Sequence, residues 1–122
     1  MMDPASFKSV RLRGGFIIAG VEFTNMPIRD ALEREAVAQT RIVGDQLHVL
    51  IQAGLSDREL SISLYHEILE AVTVASLHPP DSVMEFNEGD FEGAAQTAHA
   101  KLGDATPENL NLMLQSYGFR EE

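Results

Sequence analysis

The chain has 122 residues, 44% of them hydrophobic, enough for one hydrophobic core and too few for two. It contains no cysteine, so disulfides and thiolate zinc clusters are excluded, and any metal must be held by His, Asp or Glu. Nineteen acidic residues against nine basic ones give a formal net charge of −10, which repels phosphate backbones and anionic lipid headgroups and argues against nucleic acid and membrane surfaces as partners.

The start, Met1-Met2-Asp3-Pro4, lacks the basic and apolar regions of a signal peptide. The longest apolar runs, around Phe16–Ala19 and Leu47–Ile51, fall far short of the ~20 residues a membrane span needs. A single cytoplasmic domain over residues 1–122 is expected, with residues 1–9 as a loose leader and Glu121-Glu122 as a frayed end.

Val10 to Phe23, rich in Phe, Ile and Val and punctuated by Gly14-Gly15 and Gly20, reads as one strand or a bent pair. Asn25 can cap a helix with Pro27 in its first turn and an apolar stripe of Ile28, Ala31, Leu32 and Ala36, running to about Gln39. Arg41-Ile42-Val43 and Leu47 to Ile51 then flank Gly44-Asp45-Gln46, a hairpin turning at Gly44-Asp45.

The strongest helix signal follows. Ser56 and Glu59 have capping-box spacing, Asp57 adds negative charge at the helix N-terminus, and His78-Pro79-Pro80 stops the helix near Leu77. Leu60, Leu64, Ile68 and Val72 recur every four residues and define its buried stripe. A further helix should begin between Asn87 and Asp90 and end at Gly103, and another should start at Thr106-Pro107 and end before Gly118. The order of elements predicts an α+β fold, a small mixed or antiparallel sheet packed on the central helix, with further helices C-terminal to it.

That central helix carries His66-Glu67-Ile68-Leu69-Glu70. His66 and Glu70 are one turn apart and can grip one ion together. Glu67 is rotated by about 100° around the axis, which places a carboxylate beside such an ion, where a base acting on metal-bound water would sit.

Residues 41–100 resemble the zincin metallopeptidases, whose active-site helix carries His-Glu-x-x-His. The hairpin, the loop Gly54-Leu55-Ser56, the helix with Tyr65-His66-Glu67-Ile68-Leu69-Glu70-Ala71 and the acidic helix after it follow the order seen in small phage and prophage forms. The resemblance implies a zincin-like fold and a metal-dependent peptidase, a hydrolase holding zinc and acting on a peptide or protein substrate. It also implies a substrate cleft lined by the strand before the helix, so that a peptide would add to Leu47–Gln52, and a third ligand on the next helix. Glu70 stands where the second His is expected; a His-Glu-x-x-Glu site is a weaker Lewis acid and tolerates other divalent metals. Glu92 is the first choice as third ligand, because the small residues after it allow close helix approach, and Glu88, one turn earlier, can replace it. Asp90 and His99 rank below both.

Each residue also has a purely structural reading. His66 and Glu70 can form an ordinary i,i+4 pair, Glu67 can be a solvated acid, and Glu88 and Glu92 belong to a generally acidic segment. The alternative to a peptidase is accordingly a non-catalytic zincin-like binding or assembly module, with or without metal.

Overall fold

Hydrophobic alternation and helix caps account for most of the architecture of the computed structural model, which describes residues 3–30 and 32–121. Strands β1 (Val10–Arg11), β2 (Ile17–Thr24), β3 (Ile28–Arg29), β4 (Glu35–Ala36), β5 (Ala38–Val43) and β6 (Gln46–Gln52) precede helices α1 (Asp57–Ala75), α2 (Glu88–Leu102) and α3 (Pro107–Ser116). The fold is α+β.

The main sheet has the order β1-β2-β6-β5, with β2 and β6 parallel and the other pairs antiparallel. Val10 to Phe23 is thus a bent pair, turning through Gly14 and Gly15, both at positive φ. The β5–β6 hairpin closes at Val43 and Gln46 around Gly44-Asp45, as the turn residues predict. Along β6, Leu47, Val49 and Ile51 alternate with partly exposed residues and face the helix layer. They share one core with Leu64, Ile68 and Val72 of α1, and none of the six is more than 2% exposed.

The helix ends follow local chemistry. Ser56 Oγ accepts from Glu59 N–H, Asn87 and Asp90 form a reciprocal capping box, Gly103 at positive φ ends α2, and Thr106 with Pro107 starts α3. Helix α1 stops at Ala75, two residues before the expected Leu77, where Ser76 turns its N–H and hydroxyl onto Val72 O. No helix among the described residues is long and apolar enough to cross a membrane.

Three expectations need correction. The helix expected from Asn25 to about Gln39 is absent; β3, β4 and the start of β5 take its place. Asp30 is the cause. Its carboxylate accepts from the N–H groups of Leu32 and Arg34, its own N–H donates to Arg34 O, and Arg34 Nε pairs with it at 2.9 Å, while Glu33 takes positive φ. Such side-chain-to-backbone bonds build a turn that competes with a helix, and Leu32, a member of the supposed apolar stripe, is 70% exposed. Ala31 of that stripe lies outside the described residues, as do Met1, Met2 and Glu122.

The leader is not loose over its described part. Pro4–Phe7 forms a 3-10 turn capped by Asp3, and Phe7 is buried in the core. Strand Leu47–Gln52 cannot accept an added peptide, because β2 and β5 pair with it on both sides. The free edge beside α1 belongs to β5.

Candidate metal centre

Helix α1 presents His66, Glu67 and Glu70, and the start of α2 brings Glu88 and, one turn later, Glu92 against them. Two turns of backbone hold these five side chains in place, because Ile68 and Leu69 anchor α1 in the core and Phe91 and Ala95 anchor α2. Asn87 fixes where α2 starts.

His66 is surrounded. Its Nε2 lies 3.3 Å from Glu70 Oε2 and 3.2 Å from Glu88 Oε2, and its Nδ1 lies 2.9 Å from Glu92 Oε1. Burial alone would lower its pKa, but hydrogen bonds to Glu70 and Glu92 and the charges of Glu67 and Glu70 outweigh it and push it up to about 9. Glu70 is held below the ordinary carboxylate value mainly by its bond to His66. Glu88 is raised, because it shares a hydrogen bond with Glu70 and two neighbouring carboxylates resist ionising together. Burial pushes Glu92 up, but Gln96 Nε2, donating at 3.0 Å, and His66 bring it below the ordinary value.

One nitrogen of His66 and one oxygen each of Glu70 and Glu88 lie within 4.8 Å of one another. The two Nε2-to-oxygen distances are close to the edge of a tetrahedron with metal bonds of ~2.0 Å, roughly 3.3 Å. One imidazole nitrogen and two carboxylate oxygens are a donor set that could hold a divalent ion. Glu92 sits on the opposite ring nitrogen, in the position of a carboxylate that orients a metal-ligating histidine. The structure thus gathers both candidates for the third ligand at one ring and separates them by nitrogen. Asp90 is turned to the helix cap, and His99 bonds Ser61 Oγ at 2.8 Å, far along α2 from this cluster.

Glu67 projects into the same pocket, and its Oε1 accepts a hydrogen bond from Thr40 Oγ1 at 2.9 Å. Burial raises its pKa, and the Thr40 bond and the charge of His66 only partly offset this. Thr40 is the site residue that sequence reasoning missed. Once the helix was expected to end near Gln39, nothing local linked Thr40 to a glutamate 27 positions away.

The pocket holds about 610 Å³. Its walls are α1, the start of α2, strand β5 and the β3–β4 ribbon. Comparison with protein-family models, with curated proteins and with solved structures finds no match to this chain.

Proposed function

We propose that this chain is a zincin-like metal-dependent peptidase, with His66, Glu70 and Glu88 holding a divalent ion, zinc in the first instance, and Glu67 acting as the general base. The observation that carries the reading is the convergence of Glu70 and Glu88 on one nitrogen of His66, at 3.3 and 3.2 Å, in a pocket shared with the half-buried Glu67. Zinc bound there would act as a Lewis acid that polarises a peptide carbonyl and makes water easier to deprotonate.

The chain's own residues supply the rest. Glu92 accepts from His66 Nδ1–H and keeps the ring turned so that Nε2 faces Glu70 and Glu88. Thr40 donates to one oxygen of Glu67 and holds the carboxylate in the pocket, where its second oxygen would take up the attacking water's proton. Glu67 takes the water's proton as the oxygen adds to the carbonyl carbon, then passes it to the amine that leaves when the C–N bond breaks. Burial raises its pKa above the ordinary carboxylate value, which favours accepting a proton.

A second reading is a non-catalytic binding or assembly module on the same scaffold. It is favoured by the carboxylates already matching both ring nitrogens, which makes a self-satisfied ion cluster without metal. Elemental analysis of protein purified without chelator, followed by a peptidase assay of the metal-loaded protein and its Glu67→Gln variant, tests both. Stoichiometric metal with cleavage that Glu67→Gln abolishes supports the peptidase; bound metal without cleavage leaves the module. Less than a tenth of an equivalent of metal, with no stabilisation by added zinc, removes the metal site altogether.

A further inference from the structure

Four large apolar side chains that the fold leaves in solvent, Leu32, Val37, Ile42 and Val74, line the same pocket as the His66 cluster. Isolated exposed apolar residues are ordinary, whereas several gathered in a concave wall mark a binding surface. This wall runs into the free edge of β5. Val37 O accepts from Gln52 N–H, so by the alternation of an antiparallel ladder residues 37, 39, 41 and 43 bond toward β6. The N–H and C=O groups of Ala38, Thr40 and Ile42 therefore point away from the sheet, and they have no hydrogen-bond partner among the described residues. An unpaired edge beside an apolar wall is a template for an added strand.

Charge selects the occupant. A second copy of a chain with net charge −10 is repelled at long range. Within the pocket Asp30, Glu67, Glu70, Glu88 and Glu92 outnumber Arg29 and Arg34, and Arg34 is already paired with Asp30. The end formed by α1 and α2 gathers four glutamates around a single histidine.

We propose that the pocket takes an extended peptide segment that pairs with the outward groups of β5. Its apolar side chains rest on Leu32, Val37, Ile42 and Val74, and a lysine or arginine reaches the glutamates of α1 and α2. This names the substrate class of the peptidase reading and rests on it for cleavage; docking itself needs no metal.

The test is fluorescence anisotropy of a labelled, end-blocked peptide of alternating Leu and Lys, with the protein in EDTA. Three comparison peptides replace Lys by Glu, replace Leu by Ser, or N-methylate alternate backbone nitrogens. Each should bind roughly tenfold more weakly, through charge repulsion, lost apolar contact and lost strand pairing respectively. Val74→Asp, at a position 70% exposed and outside the His66 cluster, should weaken the Leu/Lys peptide by a similar factor at unchanged melting temperature. Equal binding of the Glu or N-methylated peptide, or indifference to Val74→Asp, overturns the proposal. So does a concentration-dependent dimer that Val74→Asp dissolves, since a second copy would then own the edge. Failure of the peptidase reading looks different: selective peptide binding persists while the protein retains no metal and cleaves nothing.

Discussion

The hydroxyl of Thr40, on the edge strand β5, donates a hydrogen bond of 2.9 Å to Glu67 Oε1 on α1, and Glu67 still carries a raised pKa because burial outweighs that bond. A carboxyl whose folded pKa lies above its unfolded value costs stability at every pH where the unfolded group is ionised. Glu67→Gln should therefore raise the melting temperature at pH 7.5, and the gain should shrink as pH falls toward 4. A loss of stability at pH 7.5 would show that the carboxylate is a structural partner and not a group held ready for proton transfer. Thr40→Val removes the donor and should raise the Glu67 pKa further, as read from the pH dependence of its side-chain carboxyl carbon by NMR.

Glu88 and Glu92 are assigned different duties, and metal titration separates them. Glu88→Gln and His66→Ala should abolish stoichiometric zinc binding, while Glu92→Gln should leave one site weakened by about 10- to 100-fold, the usual effect of losing the carboxylate behind a metal-bound histidine. The reverse ranking, with Glu92→Gln abolishing binding and Glu88→Gln tolerated, would return the third ligand to Glu92.

The proton on His66 sets the pH dependence. Its folded pKa is raised from 6.5 to about 9, so in EDTA its stabilising contribution is complete below pH 6.5 and is lost as pH rises through 9. Thermal melts in EDTA should accordingly fall between pH 7 and 10. Zinc requires the neutral ring, so binding at pH 7.5 must expel that proton, and affinity should weaken steadily as pH drops from about 9. Zinc titration calorimetry in two buffers of different ionisation enthalpy should register close to one proton released at pH 7.5. Zero release would mean that the ring nitrogen is not the ligand.

The core makes a prediction independent of metal. Leu64 and Ile68 are fully buried against β6, so Leu64→Ala or Ile68→Ala should each cost about 2–5 kcal/mol in denaturant melts. A cost below about 1 kcal/mol would place the wrong face of α1 in the core.

Two glycines test the backbone. A Cβ at Gly14, where φ is +96°, would meet Val72 Cγ1 at 2.9 Å and Phe119 Cδ1 at 3.3 Å, whereas one at Gly20 meets nothing within 4 Å. Gly14→Ala should destabilise by about 1–3 kcal/mol and Gly20→Ala should stay within roughly 0.5 kcal/mol of the wild type. Similar melts for the two variants would refute the tight seating of the β1–β2 turn on α1.

The sequence by itself determined the elements whose signals are bonds between residues a few positions apart. Ser56, Asn87 and Thr106 satisfy N–H groups three residues on, Gly44-Asp45 suits a two-residue turn, and the four-residue spacing of Leu60, Leu64, Ile68 and Val72 fixes the buried face of α1. The pairing of His66 with Glu70 was legible for the same reason. The Asp30–Arg34 turn is also local, but its signal was outweighed by an apolar stripe whose Leu32 turned out to face solvent. Only the tertiary structure decided that β5 and not β6 carries the free edge, that Thr40 reaches Glu67, and that Glu88 meets Nε2 while Glu92 meets Nδ1. Glu88 and Glu92 are chemically identical and one helical turn apart, so the nitrogen each one reaches depends on how α2 packs across α1, a rotation and separation set by Phe91, Ala94 and Ala95 in the shared core and by no bond within either segment.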